Sequence, residues 1–207
     1  MILDSYYICF ESVIPSRICD LIIEDAEQRN AQIALTGELK NENLTEKDIS
    51  KLYKTRNSSI VWMDDPWIYR EVHPFIHEAN KIANWNFDWH YSEACQFTKY
   101  SESQHYTWHQ DAFLKPYNKP NTPSHGMIRK LSVTISLADG DTYEGGDLEF
   151  NFNNTIDDSQ KFIEKSELSR KKGTIVVFPS FVWHRVSPVT KGTRYSLVVW
   201  NMGYPYR

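Results

Sequence analysis

Cysteine is scarce in this sequence, with three residues in a chain of 207. Cys9, Cys19 and Cys95 show no C-x-x-C spacing, which argues against a disulfide framework and a zinc ribbon. We therefore expect buried free thiols in a reducing compartment. This expectation places the protein in the cytoplasm, or in the host cytoplasm if the chain is of phage origin.

Long apolar runs and an excess of positive charge are also lacking. No stretch approaches the roughly 18 consecutive apolar residues that a membrane span needs. Asp4 interrupts the apolar start of the chain and no basic segment precedes it, so we expect no signal peptide. The 23 Lys and Arg residues are outnumbered by 27 Asp and Glu. This balance argues against nucleic acid or a membrane surface as a partner.

Apolar and aromatic residues are plentiful. Hydrophobic residues make up 41% of the chain and aromatic residues 14%, which suits a β-rich core. A chain of this length can bury such a core as one domain. We therefore treat residues 1–207 as a single domain.

Two helices are predicted in the first half of the chain. The first begins at Ser16, a residue suited to cap it. The second begins at Asp65-Pro66, a capping residue followed by one favoured in the first turn, and continues to about residue 85. Residues 36–54 between them predict a surface loop or a short helix. The apolar stripes include Ile18, Leu21, Ile22 and Ala26 in the first helix, and Ile68, Val72, Phe75, Ile76, Ala79, Ile82 and Ala83 in the second.

After residue 85 the pattern changes to short β-type runs separated by turn residues such as Asp139-Gly140 and Gly145-Gly146. Long connections cover 115–126 and 153–172, the second with a possible short helix at 162–168. We predict a mainly β fold with flanking helices and a double-stranded β-helix (jelly-roll) core at 91–207. Residues 1–90 would supply N-terminal helices packed on one sheet. The predicted strands are 93–100, 106–111, 130–138, 147–152, 173–178, 183–186 and 195–202.

The triplet His109-Gln110-Asp111 is a candidate for half of a metal site. In an extended strand, positions i and i+2 point to the same face, so an imidazole and a carboxylate would lie side by side. His184, on a later strand, could complete a three-point clamp. Two histidines and one carboxylate on one side of a metal leave the coordination positions on its other side open. This is the arrangement of non-haem Fe(II) oxygenases.

Arg194 follows His184 at a spacing that suits an adjacent returning strand. A buried arginine without a counter-charge is costly, so an anion is expected beside it. Arginine grips a carboxylate bidentately, and a dicarboxylate that chelates a metal at one end would leave its other end for Arg194.

The C-terminal half resembles a known family. The segments that carry the resemblance are 100–111, 131–137, 143–148 and 172–200. Together they are similar to the prolyl 4-hydroxylase-type Fe(II)/2-oxoglutarate dioxygenases, in particular to bacterial and phage PKHD-type hydroxylases. The resemblance covers roughly residues 97–202.

The resemblance implies a role for each matching residue. His109, Asp111 and His184 would be the catalytic iron ligands, and Arg194 would bind the distal carboxylate of 2-oxoglutarate. Tyr100 would hydrogen-bond the same cosubstrate, and Trp200 would line the pocket. The implied reaction consumes O2 and 2-oxoglutarate at Fe(II), with ascorbate as an additional reductant. It hydroxylates a C–H bond of a peptide or protein, foremost a peptidyl proline, and releases succinate and CO2.

Several alternatives stay open at this point. The same chemistry could act on a free amino acid or small metabolite, and a metal-binding jelly-roll module without activity is a third reading, against which Arg194 argues. Residues 101–104 replace glycines of relatives, and Ser136 stands where some relatives have an aromatic residue. Arg129 could contact substrate or be a surface charge, and the 115–126 loop could decide substrate choice.

Overall fold

The computed structural model describes residues 3–34, 45–112, 115–152 and 163–206. Its helices are α1 (Ser16–Gln28), α2 (Glu46–Thr55), α3 (Pro66–Ile82) and a short 3-10 helix (Glu167–Arg170). Within these ranges, none of the helices has the length and apolar character needed to cross a bilayer. The strands are β1 (Ile8–Phe10), β2 (Gln32–Ile33), β3 (Arg56–Asn57), β4 (Ser59–Met63), β5 (Tyr91–Ser92), β6 (Cys95–Tyr100), β7 (His105–His109), β8 (Ile128–Ser136), β9 (Tyr143–Gly145), β10 (Leu148–Asn151), β11 (Ile163–Lys165), β12 (Ile175–Pro179), β13 (Trp183–Val186), β14 (Val189–Gly192) and β15 (Arg194–Gly203).

The strands form two main antiparallel sheets. The larger sheet has the order β1-β12-β8-β15-β6-β4-β2, and β5 adds to it by pairing with β15. The smaller sheet has the order β11-β10-β13-β7-β3, and β14 pairs with β9. This topology is the predicted mainly β, double-stranded β-helix fold, and the prediction is confirmed.

The two faces of the larger sheet have different chemistry because side chains alternate along each strand. On β15, Leu197 and Val199 join the main hydrophobic core, whereas Ser196 and Trp200 line a cavity. On β12, alternate residues enter two separate cores, one beneath the helices and one between the sheets. The sheet therefore has an apolar outer face for the helices and a more polar inner face for a site.

Helices α1 and α3 cover the outer face of the larger sheet, as predicted. Ile22 of α1 and Ile76 of α3 are almost fully buried in the same core as Val133 of β8. At roughly 25 cal/mol per Å² of apolar area removed from water, such contacts are the dominant stabilising term of the fold. The helices thus bury the outer face of the sheet, and its inner face is left to line the cavity.

Some details of the helix predictions were wrong. Leu21 and Ile82 are 49% and 56% exposed instead of buried. Ser16 is the first helical residue and not the cap, and the side chain of Asp65 makes no capping hydrogen bond. Asp65 instead accepts a hydrogen bond from Arg29 at 2.8 Å.

The two long connections also differ from expectation. The possible helix at 162–168 is replaced by β11 and the short 3-10 helix, while residues 153–162 lie outside the described ranges. Helix α2 occupies the second half of the polar stretch 36–54, whose first part, 36–44, also lies outside them. The first ninety residues contribute strands to both sheets as well as helices. The division of the domain at residue 90 stays a prediction.

Candidate metal and cosubstrate site

Three side chains, from the neighbouring central strands β7 and β13 of the smaller sheet and from one loop, lie close together. His184 of β13 is the antiparallel partner of His109 of β7, and their ring centroids are 4.1 Å apart. Asp111 Oδ1 lies 3.8 Å from His109 Nε2, and Asp111 Oδ2 lies 3.5 Å from His184 Nε2. One candidate ligand atom from each residue lies within 4.8 Å of the other two. The predicted triad is therefore brought together.

Asp111 reaches this position differently from the expectation of a single extended strand. Strand β7 ends at His109, and Asp111 lies in the bend that follows. The backbone N–H groups of Asp111 and Ala112 both donate to the Ser180 carbonyl, at 2.9 and 2.8 Å. A loop contact, and not strand periodicity, sets the direction of the carboxylate.

Both imidazoles are oriented by backbone carbonyls. His109 Nδ1 lies 2.8 Å from the Thr107 carbonyl and His184 Nδ1 lies 3.0 Å from the Val182 carbonyl. A carbonyl oxygen only accepts, so each Nδ1 must carry the proton and each Nε2 presents its lone pair to the triad. Burial, followed by the neighbouring charge of His184, lowers the pKa of His109 well below its ordinary value. That imidazole is neutral and able to bind a metal at neutral pH.

The carboxylate of Asp111 is held by a serine pair. Ser132 Oγ donates to Asp111 Oδ2 at 2.7 Å and lies 2.9 Å from Ser180 Oγ. Burial alone would raise the pKa of Asp111, but His184, His109, Arg129 and the Ser132 hydrogen bond outweigh it and lower the pKa to about 2. A carboxylate beside two imidazole Nε2 atoms is the donor set of a non-haem Fe(II) site.

A cavity of about 310 Å³ adjoins the triad. Arg194, 2% exposed, lies on its wall opposite Tyr100 in the β15–β6 register. Its Nη1 donates to Ser196 Oγ at 2.9 Å, and its guanidinium carbon lies 5.5 Å from the Tyr100 ring centroid. Among the described residues no carboxylate forms an ion pair with Arg194. A buried guanidinium with only neutral neighbours is a site for an anion.

Trp200 also lines the cavity, as predicted. Its ring lies 3.8 Å below the guanidinium carbon of Arg129 and 6.1 Å from the ring of Trp62. The buried indole N–H of Trp200 has no hydrogen-bond partner among the residues described. Because a buried unpaired donor is costly, this N–H is available to an occupant of the cavity.

The positions of Arg129 and Ser136 narrow the alternatives that the sequence left open for these two residues. Arg129 is not a surface charge: its Nε donates to Glu93 Oε2 at 2.5 Å, and the residue lines the cavity. Ser136 is buried and donates to the Ala138 carbonyl at 3.1 Å. It is not among the cavity-lining residues in the described ranges.

Sequence reasoning missed several cavity residues, among them Arg56, Gln96 and Tyr106. The ring of Tyr106 stacks on that of His109 at 3.5 Å between centroids. Strand β3, which carries Arg56, is too short to give a periodic signal. The alternation of β6 could have indicated Gln96, because it lies four residues before Tyr100 on the same face.

Comparison with known proteins agrees with this fold and site. A model of the 2OG-Fe(II) oxygenase superfamily matches residues 95–202. PKHD-type hydroxylases from Alteromonas mediterranea and Xylella fastidiosa are 34% and 32% identical over 105 and 107 residues. These matches cover 50% and 51% of this chain, and 41% and 42% of the relatives. The chain thus spans about two-fifths of the length of these curated relatives.

Solved structures match over nearly the whole chain. A Pseudomonas putida prolyl-4-hydroxylase has a TM-score of 0.64 at 18% identity, covering 96% of this chain and 92% of that one. The viral collagen prolyl hydroxylase of Paramecium Bursaria Chlorella virus-1, solved as a 2OG complex, has a TM-score of 0.63 at 18% identity and covers 97% of both chains. At such identity the likeness establishes a shared fold.

The fold and the triad define a double-stranded β-helix protein with a two-histidine, one-carboxylate centre. The chain belongs to the 2OG-Fe(II) oxygenase superfamily, and the curated relatives that it resembles are PKHD-type hydroxylases.

Proposed function

We propose that this protein is an Fe(II)- and 2-oxoglutarate-dependent dioxygenase that hydroxylates a C–H bond, most readily of a peptidyl proline. In this reaction one oxygen atom of O2 enters the product alcohol and the other enters succinate, with loss of CO2 from 2-oxoglutarate. The observation that carries the proposal is the placement of the His109, Asp111 and His184 ligand atoms within 4.8 Å beside a cavity that also holds Arg194.

In this proposal each residue has a stated task. His109, Asp111 and His184 hold Fe(II) through two Nε2 atoms and a carboxylate oxygen. Arg194 pairs with the distal carboxylate of 2-oxoglutarate, Tyr100 hydrogen-bonds it, and Trp200 shapes the wall. Fe(II), once bound, supplies the oxidative decarboxylation and C–H oxidation that no side chain can perform. The protein binds and orients the reactants and keeps other C–H bonds away.

The prolyl substrate rests on relatives. Among the structural neighbours is a prolyl hydroxylase from Trichoplax adhaerens in complex with a hypoxia inducible factor peptide, with a TM-score of 0.64 at 17% identity. By analogy, a peptide or protein is the first substrate class to test here, and a free amino acid or small metabolite is the second. Ascorbate as a reductant, a cytoplasmic location and one domain over residues 1–207 belong to the same proposal.

The test is succinate release from 2-oxoglutarate with Fe(II) and O2. The wild type is expected to form succinate, and His184→Ala is expected to form none above a metal-free blank. Arg70→Gln, a change on the exposed face of α3 outside the cavity, is the matched control and should retain wild-type turnover.

Two substrate panels then separate the classes. Proline-containing peptides and free amino acids are each added to the same assay, and hydroxylated product is measured by mass spectrometry. Product and succinate in equal amounts identify the substrate class. A wild-type protein that binds the metal but forms no succinate with any of them would indicate the non-catalytic module.

A further inference from the structure

Arg56 is a second buried guanidinium in the same cavity. It begins β3, is 5% exposed and lines the cavity together with the metal triad. Its Nε donates to Ser58 Oγ at 3.1 Å and its Nη2 donates to Gln96 Oε1 at 2.6 Å. Its guanidinium carbon lies 4.5 Å from the ring centroid of Tyr106. All these partners are neutral.

The position of Arg56 differs from that of Arg194. Gln96, which Arg56 contacts, lies opposite Val198 in the β6–β15 register, whereas Tyr100 lies opposite Arg194. Four residues of extended strand separate Gln96 from Tyr100, or about 13 Å. The two guanidinium groups therefore contact different ends of strand β6. Arg56 is also near the triad, since Tyr106 contacts both Arg56 and His109.

Among the residues that the structure describes, the charges of the cavity leave Arg56 without a counter-ion. Under the proposed function, the two positive charges of Fe(II) and the charge of Arg194 are balanced by Asp111 and the two carboxylates of 2-oxoglutarate. Arg129 is balanced by Glu93 at 2.5 Å. Asp111 is the only carboxylate among the cavity-lining residues that the structure describes. One buried positive charge remains, and an unpaired buried charge is strongly unfavourable.

We infer that Arg56 binds a carboxylate of the substrate and so selects substrates with one negative charge near the C–H bond that is oxidised. This inference rests on the proposed function and names the substrate class for it.

The chemistry of the subsite suits a carboxylate. Arginine has five N–H donors, of which the contacts with Ser58 and Gln96 use two. The Gln96 side-chain oxygen is occupied by Arg56, so its N–H2 group is the end left to donate. A carboxylate oxygen accepts from both groups, whereas a primary amide of the same shape has one oxygen acceptor and no charge. The substrate carboxylate could be an acidic side chain, a C-terminus or a free amino-acid carboxylate.

Matched pairs of carboxylates and amides test this inference. Binding is measured by calorimetry to protein loaded with Zn(II) in place of Fe(II) and saturated with 2-oxoglutarate, so that no turnover occurs. The pairs are acetate with acetamide, N-acetyl-L-proline with its primary amide, and N-acetyl-L-aspartate methylamide with its asparagine equivalent. They represent a free carboxylate, a C-terminal carboxylate and a side-chain carboxylate.

The expected result is that at least one carboxylate binds about tenfold tighter than its amide in the wild type. The preference should fall below about twofold in Arg56→Gln and persist in part in Arg56→Lys, which keeps the charge but not the planar fork. Arg70→Gln is the matched control and should retain the full preference. The wild-type comparison is informative even if Arg56→Gln does not fold.

Three results would overturn the inference. The first is that the wild type binds both members of every pair equally, or binds neither. The second is that folded Arg56→Gln keeps the full preference for the carboxylate. The third is that Arg56→Gln no longer binds 2-oxoglutarate. The last would assign Arg56 to the cosubstrate. A wild type that fails to bind 2-oxoglutarate would contradict the proposed function itself, so the two failures are distinguishable.

Discussion

His109 and His184 are direct partners across adjacent antiparallel strands, with ring centroids 4.1 Å apart. Although they are distant in the sequence, the β7–β13 pairing brings both Nε2 atoms to the carboxylate of Asp111. A metal held by these three groups would link two strands and a loop. Metal binding and fold stability should therefore be coupled in this protein.

Addition of Zn(II) or Co(II) to the metal-free protein is expected to raise its melting temperature. A ligand present at 100 times its dissociation constant stabilises the folded state by about 2.7 kcal/mol. The shift should be largely lost in His184→Ala, because one of three ligands is removed. Scanning fluorimetry over a metal titration measures the melting-temperature shift in the wild type and in the variant. A shift of the same size in the variant would show that the metal binds elsewhere.

Ser132→Ala should weaken metal binding without removing a ligand. Ser132 donates to Asp111 Oδ2 at 2.7 Å, and loss of such a supporting hydrogen bond typically costs about 10- to 100-fold in metal affinity. Metal competition with a chromophoric chelator measures the affinity. Ser136→Ala, on the same strand and outside the described cavity lining, should have wild-type affinity. Equal affinities for Ser132→Ala and Ser136→Ala would argue against the positioning role.

Arg194→Gln should lower the affinity for 2-oxoglutarate and leave metal affinity unchanged. Loss of one partner of a buried charge pair costs about 2–5 kcal/mol, so a loss of at least about 30-fold is expected. Calorimetry with Zn(II)-loaded protein measures the affinity, with Arg70→Gln as the surface control. Wild-type affinity in Arg194→Gln would remove this residue from the cosubstrate site.

The stability of the metal-free protein should fall as the pH drops below 6.5. Burial lowers the pKa of His109 well below its ordinary 6.5, so in that window the unfolded chain binds a proton that the folded protein does not. Stability is therefore retained above pH 6.5 and lost below it, by up to about 1.4 kcal/mol per pH unit for this one group. The pKa of Asp111, about 2, lies far below this range.

Urea unfolding at pH 7.5, 6.5 and 5.5 measures this dependence. His109→Asn should reduce the slope below pH 6.5, whereas His125→Asn, a change at an exposed histidine, should leave it at the wild-type value. His73, whose pKa is lowered by burial and then by His77, contributes in the same direction in all three proteins. An unchanged slope in His109→Asn would contradict the assignment of this pH dependence to His109.

Gly173→Ala should destabilise the fold by about 2 kcal/mol or more. Gly173 has a φ of +78°, and an added Cβ would lie 2.1 Å from the Ile14 carbonyl oxygen. The left-handed conformation alone costs about 1–2 kcal/mol for a residue with a side chain, and the backbone clash adds to this. Gly126→Ala is the matched control: its φ is +75°, but the nearest atom to the Cβ is 3.9 Å away. Chemical denaturation should show a smaller loss of unfolding free energy for Gly126→Ala. Equal losses in the two variants would show that the backbone clash does not contribute.

The sequence indicated two histidines, a carboxylate and an arginine, and all four line one cavity. They could be predicted because the segments that contain them resemble the motif of a known family, and His109, His184 and Arg194 lie on strands. Arg56, Gln96 and Tyr106 were not predicted. Arg56 lies on the two-residue strand β3, which pairs with β7, and its side-chain contact with Gln96 of β6 joins the two sheets. Leu21 and Ile82 were placed in the core by periodicity alone, yet both are exposed.

The sequence by itself determined the mainly β fold and the helices on one sheet, and it indicated four central site residues whose roles stay a prediction. The fold and the helices follow from side-chain periodicity, which is a property of neighbouring residues, whereas the site residues were indicated by the resemblance to a family. Only the tertiary structure decided that Asp111 is directed by the Ser180 carbonyl, that Arg129 is paired with Glu93, and that Arg56 is buried with neutral partners. Those relationships join residues that are far apart in the chain, and strand pairing and loop packing set them.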